Sequence, residues 1–147
     1  MKKVDFTVEV FIVFQNKVLL RLHEKLGKWI SVGGHIEQHE NPIEAAKREV
    51  MEEVGLEVEL FGHHSNISDE DHYEHLLAPR FLAQINNLEN TKVVSVYFAK
   101  TNNDKLVLER DTDQIRWVGI KELDEMDIEP NICFYAKEAL KELGELG

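Results

Sequence analysis

The stretch NPIEAAKREVMEEVG, residues 41–55, carries the signals for the beginning and the end of one helix. Asn41 is a favoured N-cap residue, proline follows it at the first helical position, and a glutamate three residues after the cap completes a capping box. Glycine is the residue that most commonly follows the end of a helix, so Gly55 marks the end of this one. The stretch therefore predicts a helix over residues 42–54.

This predicted helix places three carboxylates on one face. At about 100° per residue, Glu49, Glu52 and Glu53 fall within an arc about 100° wide. An apolar stripe lies beside that arc and consists of Ile43, Ala46, Val50 and Val54. Because the apolar stripe is expected to pack against the rest of the molecule, the acidic face lies at the edge of the packed surface rather than far out in water.

Neighbouring carboxylates on a helix repel each other, and each like-charged pair costs roughly a few tenths of a kcal/mol. No lysine or arginine follows any of the three glutamates at a spacing of four residues, where it would relieve the repulsion. The alternatives are a solvated charged face and a bound cation. Mg²⁺ binds through oxygen and usually keeps waters and substrate phosphates in its shell, so we expect a divalent-cation site that acts on a phosphate ester.

Runs of β-branched and aromatic residues predict strands on both sides of this helix. The predicted strands cover residues 7–14, 18–23, 29–32, 56–62, 80–85, 92–101 and 115–118. A second amphipathic helix is predicted over residues 131–143. Its residues available to the core are Phe134, Ala139, Leu140 and Leu143. Strands grouped around two helices predict a mixed sheet covered by helices.

Composition and charge limit the partners of this chain. Its 147 residues, 43% hydrophobic and 31% charged, suit one domain over 1–147. With 17 basic and 28 acidic residues the formal charge is −11, which repels long nucleic acids and anionic membranes, so we expect neither as a partner. The first residues are a poor signal peptide and no apolar run reaches the roughly 20 residues of a membrane span, so we expect a cytoplasmic protein, a monomer or a homodimer. Cys133 is the single cysteine, which excludes an internal disulfide.

A longer motif surrounds the predicted helix. It consists of Gly34, five residues, Glu40, seven residues, and then the run REVMEEVGL at residues 48–56. This pattern resembles the Nudix box, the signature of the MutT-like Nudix hydrolases, with every specified position filled. The resemblance implies an α/β/α sandwich built on a mixed sheet, a fold of the α/β (α+β) class. It also implies a pyrophosphohydrolase that uses Mg²⁺ or Mn²⁺ to cleave a nucleoside diphosphate linked to another moiety, by attack of a metal-activated water on phosphorus.

The resemblance assigns roles to residues of the box, which we define as residues 34–56. The implied metal ligands are the carboxylates of Glu49, Glu52 and Glu53 and the backbone carbonyl near Gly34. Arg48 is similar to the residue that orients a box glutamate, and Glu40 to the glutamate that fixes the box by pairing. The general base remains open between Glu49 and Glu53 in the helix and Glu109 in the later segment LERDTDQIRW, where a solvated loop acid is the alternative.

Substrate identity depends on weaker signals. Tyr73, 17 residues beyond the box, resembles a tyrosine of dinucleoside-polyphosphate hydrolases in this family, and Asn131 resembles the position at which nucleotide-sanitising members recognise a purine base. Their alternatives are an exposed loop aromatic and an ordinary helix N-cap. We expect a small-molecule nucleotide as substrate, either a nucleoside triphosphate or a dinucleoside polyphosphate. The other interpretations are an ADP-ribose or nucleotide-sugar hydrolase and a non-catalytic, nucleotide-binding regulatory domain.

Overall fold

The structure, a computed structural model, describes residues 2–69, 72–87 and 89–145. Within these residues the strands are β1 (Lys3–Phe14), β2 (Lys17–His23), β3 (Lys28–Ile30), β4 (Val32–His35), β5 (Glu59–Phe61), β6 (Ser68–Asp69), β7 (Tyr73–Glu74), β8 (Phe81–Asn86), β9 (Asn90–Lys100) and β10 (Ile115–Val118). The helices are α1 (Pro42–Val54), α2 (Ile120–Leu123) and α3 (Pro130–Leu143).

One mixed sheet forms the centre of the described structure. Its path runs β10-β2-β1-β9-β5, while β3 pairs with β2, β4 with β1 and β8 with β9. β1 runs parallel to β9, and the other pairings in this sheet are antiparallel. Along β1, residues 7–10 pair with β4 and residues 13–14 pair with β2. The sheet therefore divides beside β1, and the short strands β3 and β4 lie where it divides.

Helices cover both faces of this sheet. Val8, Val10 and Ile12 of β1 belong to the cluster of buried residues that includes the inner face of α1. The alternate residues Phe11 and Val13 belong to the cluster that includes α3. Because successive side chains of a strand point to opposite faces, each cluster occupies one side of the sheet. This arrangement confirms the predicted α/β/α sandwich on a mixed sheet.

Most of the predicted elements are present, with differences in length. α1 begins and ends where its capping signals predict, but the strand predicted over residues 56–62 is formed only at Glu59–Phe61. The prediction that Phe134 packs in the core is wrong: this residue is 49% exposed, and its ring contacts those of Phe81 in β8 and Tyr135 in α3. Among the described residues, no helix combines the length and apolarity that crossing a bilayer requires.

Candidate active site

The capping and packing of α1 set the directions of its carboxylates. The side-chain oxygen of Asn41 accepts a hydrogen bond from the backbone N–H of Glu44, and the Glu44 carboxylate accepts one from the backbone N–H of Asn41, both at 2.9 Å. Buried alanine and valine residues on the inner face fix the rotation of the helix. As a result the Glu53 side chain is only 11% exposed, whereas the Glu52 side chain is 54% exposed.

Arg48 is the centre of an ion cluster on this helix. Its Nη2 donates to Glu40 Oε1 at 2.6 Å and to the carbonyl oxygen of His35 at 2.9 Å. Its Nη1 donates to Glu49 Oε1 at 2.9 Å and to Glu52 Oε2 at 3.2 Å. The clustered acids therefore do have a basic partner on the helix. The charge spacing considered in the sequence covers only residues that follow each glutamate, whereas this arginine precedes Glu52 by four residues. The resemblance to the family had already assigned it the role of orienting a box glutamate.

Glu53 is the most deeply buried of the three carboxylates. Its Oε2 lies 3.0 Å from Nε of Arg21, a residue of β2. That contact is an ion pair without hydrogen-bond geometry, and within the described part of the chain neither atom has a hydrogen-bond partner. Burial raises the pKa of Glu53 to about 8; Arg21 opposes this rise, and the nearby carboxyl of Glu49 adds to it. Glu49 and Glu53 are thus brought together, while Glu52 is joined to them through Arg48.

A pocket of about 340 Å³ opens beside this cluster, a volume within the range of small-molecule sites. Gly33, Gly34 and Arg21 line it. A Cβ on Gly33 would overlap the carbonyl oxygen of Val8, and a Cβ on Gly34 would overlap the carboxylate of Glu49. The absence of side chains at both positions therefore allows β4 to approach both β1 and α1. Gly33 and Gly34 therefore form the boundary between the pocket and the acidic cluster, which consists of Glu49 and Glu53.

The loop between β9 and β10 packs against the end of α1. The backbone N–H of Val107 donates to the carbonyl oxygen of Val54 at 2.9 Å, and the backbone N–H of Glu109 donates to the carbonyl oxygen of Glu53 at 3.3 Å. The Glu109 side chain is exposed. The loop thereby holds Glu109 at the same end of the helix as Glu53.

Tyr73 and Asn131 do not line this pocket. Tyr73 lies in the β6–β7 hairpin, is 56% exposed, and has its hydroxyl oxygen 3.1 Å from Nε2 of His75. Asn131 is exposed and lies in the first turn of α3, next to Ile132, which does line the pocket. Glu129 occupies the N-cap position of α3, so the interpretation of Asn131 as the N-cap is wrong.

Three charged residues of the pocket were not predicted from the sequence as site residues. Glu9 lies in β1, Arg21 in β2 and Lys92 in β9, and all three line the pocket. For Glu9 and Arg21 the signal was present in the sequence, because each places a charge inside a run of apolar residues, 8–13 and 18–22. Charged groups are seldom buried without a partner, so such interruptions point to a site.

The donors gathered here fit a hard divalent cation. They are carboxylate oxygens, and the buried Oε2 of Glu53 lacks a hydrogen-bond donor among the described residues. Mg²⁺ binds through oxygen and needs only one or two protein carboxylates. A second group of possible ligand atoms, all within 4.8 Å of one another, consists of Glu37, His39 and Glu40. Its most buried carboxylate, Glu40, is already held by Arg48.

Comparisons with known proteins agree with this geometry. The NUDIX domain model matches residues 5–137. The structure is similar to that of a NUDIX-family hydrolase from Clostridium perfringens, with a TM-score of 0.87 and 34% sequence identity, covering 95% of this chain and 97% of that one. It also has the fold of a MutT protein from Methanosarcina mazei Go1, with a TM-score of 0.68, 19% identity and 98% of both chains covered. A MutT NUDIX hydrolase from Burkholderia pseudomallei gives a TM-score of 0.66 at 16% identity, covering 97% of this chain and 99% of that one.

Proposed function

This chain belongs to the NUDIX family of hydrolases, and from that premise we propose that it is a divalent-metal-dependent pyrophosphohydrolase. Its substrate in this proposal is a nucleoside diphosphate linked to another moiety, with nucleoside triphosphates and dinucleoside polyphosphates as the first candidates. The observation that carries the proposal is the shared boundary at Gly33 and Gly34 between the pocket and the carboxylates of α1. This arrangement supports a reaction at a phosphate group held between the two.

Glu49, Glu52 and Glu53, together with the backbone carbonyl of Gly34, hold Mg²⁺ or Mn²⁺ in this proposal. When bound, the cation neutralises charge on the phosphate oxygens and makes the attacking water more acidic. Arg48 holds the carboxylates of Glu49 and Glu52 by hydrogen bonds. Its role is to orient them toward the cation, because a guanidinium fixes the direction of the oxygens that it contacts.

The chemical step breaks a phosphoanhydride bond. The oxygen of a water molecule attacks phosphorus, a carboxylate of the protein takes a proton from that water, and the P–O bond to the leaving phosphate breaks with its electron pair. Glu53 is our first candidate for this general base because it is buried beside the pocket boundary. Glu49 is the second. Glu109 is the third, since its backbone is hydrogen-bonded to that of Glu53.

The pocket is the proposed site of the nucleoside half of the substrate. Apolar and polar side chains line it together, as they do in most small-molecule sites. We place Asn131 at its border, because the neighbouring Ile132 lines the pocket. Tyr73 is proposed to contact a more distant part of the substrate, such as the second nucleoside of a dinucleoside polyphosphate.

A substrate panel with site variants tests the proposal. The panel comprises ordinary and oxidised nucleoside triphosphates, dinucleoside polyphosphates, nucleotide sugars and ADP-ribose, assayed with Mg²⁺, with Mn²⁺ and with a chelator for released phosphate or pyrophosphate. We expect hydrolysis only with a divalent cation. Glu53→Gln and Glu52→Gln should lower kcat by on the order of 100-fold or more, because charge on the reacting phosphate is then less well stabilised.

Glu57→Gln is the matched control, since Glu57 is an exposed acid just beyond the end of the same helix. This variant should keep the activity of the unmodified protein. The proposal is wrong if none of the compounds is cleaved and if Glu52→Gln and Glu53→Gln bind Mn²⁺ as tightly as the unmodified protein does. Tight nucleotide binding without turnover would instead indicate the non-catalytic regulatory domain.

A further inference from the structure

The pocket contains a buried carboxyl group that the proposed hydrolysis does not use. Glu9 lies in β1, and its Oε2 has no contact with solvent and no hydrogen-bond partner among the residues that the structure describes. Burial raises the pKa of this carboxyl to about 7. An unpaired buried polar group costs roughly 1–3 kcal/mol, so its presence in a folded protein requires an explanation.

Glu9 lies on the opposite face of the sheet from the acidic cluster. It alternates along β1 with Val8 and Val10, which pack on the α1 side, and it shares the α3 side with Phe11. Tyr135 of α3 lies on the same side, with its ring 5.7 Å from that of Phe11, and burial together with the charge of Glu9 raises the pKa of Tyr135. Glu9 is therefore separated from Glu53, and a role in cation binding does not account for it.

The lining of the pocket around Glu9 combines apolar and polar side chains, as a site for a ring with apolar faces and a polar edge requires. Its apolar lining includes Leu26, Ile30, Val94 and Ile132, and its other polar lining includes the buried residues Thr7 and Ser31 and the cationic residues Arg21 and Lys92. A planar ring with apolar faces and a polar edge would bury its faces against the first set. Its edge would then face Glu9, since that residue lines the same space.

We propose that Glu9 is a specificity-determining residue that hydrogen-bonds to the edge of the substrate's nucleobase in this pocket. The inference rests on the proposed function, which places the phosphate groups across the glycine pair beside Glu49 and Glu53. Nucleobase edges present N–H donors and ring or carbonyl acceptors side by side. A carboxyl group can bond to two such neighbouring atoms at once, so a base that binds as the carboxyl turns into the pocket would supply the hydrogen bonds that Glu9 lacks among the described residues.

The test compares base preference between variants at position 9. For each protein, kcat and KM are measured on one series of nucleotides that differ only in the base. Glu9→Leu should lower kcat/KM about 10- to 100-fold for the preferred base, mainly through KM, and should bring the different bases to similar values. Glu9→Gln keeps the shape, one donor and one acceptor, so it should retain a clear base preference.

Asp5→Asn is the matched control. Asp5 lies in the same strand as Glu9, but its carboxylate accepts a hydrogen bond from Asn90 at 2.7 Å and does not line the pocket. This variant should keep both the activity and the base preference. The inference is wrong if Glu9→Leu keeps the base preference. It is equally wrong if Glu9→Gln loses the preference as completely as Glu9→Leu, because the cause would then be distorted packing and not a lost hydrogen bond.

A measurement on the unmodified protein covers the case in which Glu9→Leu does not fold. A purine nucleotide without exocyclic groups lacks part of the hydrogen-bonding edge, and we expect its kcat/KM to be about 10- to 100-fold lower than that of the preferred base. Equal rates would overturn the role of Glu9 while leaving the hydrolase proposal intact. Failure of every nucleotide to be hydrolysed would instead overturn the proposed function.

Discussion

At the residue scale, one guanidinium organises the carboxylates that would otherwise repel each other. Arg48 contacts Glu40, Glu49 and Glu52, and its side chain is 24% exposed. Hydrogen bonds from Arg48, helped by the backbone N–H of Glu37, hold the pKa of Glu40 at about 2, against an ordinary value of 4.5. Arg48 therefore partly neutralises the acidic face before any cation binds. The number of charges on the helix alone does not show which carboxylates this guanidinium contacts.

Glu40→Gln should destabilise the protein in a pH-dependent way. Because the folded-state pKa of Glu40 lies below its ordinary value, its ionised form stabilises the fold above pH 4.5, and this contribution is lost as the pH falls toward 2. We expect the variant to be less stable by about 1–3 kcal/mol at pH 7 and the difference to shrink at pH 3. Denaturant unfolding at both pH values, with EDTA present, measures it.

Glu57→Gln is the control for this unfolding experiment. Glu44→Gln would be unsuitable, because Glu44 belongs to the capping box of α1. Glu57 is exposed, so this variant should match the unmodified protein at both pH values. A loss of stability in Glu40→Gln that is the same at pH 7 and pH 3 would contradict the assignment of the effect to the ionised pair.

At the scale of the element, both ends of α1 are fixed by its sequence. The capping box fixes its first turn, and Gly55 ends it with φ of 69°. A Cβ at Gly55 would lie 2.6 Å from the Cβ of Val107 and 3.1 Å from its carbonyl oxygen, so the glycine also permits the loop between β9 and β10 to approach. That loop brings Glu109 to the helix end.

Gly55→Ala is therefore expected to be costly, and Gly27→Ala is its matched control. Gly27 has a similar φ of 63°, but nothing lies within 4 Å of the Cβ that alanine would add. Gly27→Ala should cost about 1–2 kcal/mol of unfolding free energy, from the backbone conformation alone. Gly55→Ala should cost at least about 1 kcal/mol more, because the loop must shift, and it should lower activity as well.

Thermal or denaturant unfolding of both variants gives the comparison, and the initial rate on the preferred nucleotide gives the effect on activity. Equal destabilisation of the two variants would mean that the close approach of the loop to Gly55 adds nothing to the cost of the substitution. Unchanged activity in a destabilised Gly55→Ala variant would argue against a role for the loop, and with it Glu109, in the reaction.

At the scale of the whole molecule, the sheet determines which side chains meet. It separates the carboxylates of α1 from the α3 side of the pocket, and β4 joins the two sides through Gly33 and Gly34. The formal charge of −11 gives the molecule as a whole an electrostatic field that attracts cations and repels anionic substrates. Cation binding at α1 should therefore matter both for stability and for substrate binding.

Mg²⁺ or Mn²⁺ should raise the melting temperature of the protein. At a concentration about 100 times the dissociation constant, a ligand that binds only the folded state adds about 2.7 kcal/mol, which corresponds to roughly 5–10 °C for a chain of this size. The variant with both Glu49→Gln and Glu53→Gln should lose this increase, whereas Glu57→Gln should keep it. NaCl at matched ionic strength controls for general screening. The same increase in all three proteins would place the binding site elsewhere.

Local sequence signals were enough to predict α1, most of the strands and the acidic face. These features depend on contacts between residues that are close along the chain: the capping box joins Asn41 to Glu44, and helical periodicity joins Glu49 to Glu53. The pattern of the box also identified the family, because its spacing is local. The general class of enzyme followed from the same short segment.

The surroundings of those carboxylates, in contrast, depend on long-range packing. Arg21 meets Glu53, Glu9 reaches the pocket, and the loop of Glu109 reaches the end of α1 because β2, β1 and β9 are placed by pairing with distant strands. Phe134 was predicted to be buried from its helical position, yet the rotation of α3 on the sheet leaves it half exposed. Pairing register and helix rotation are set by packing across the whole molecule, so no local pattern specifies them.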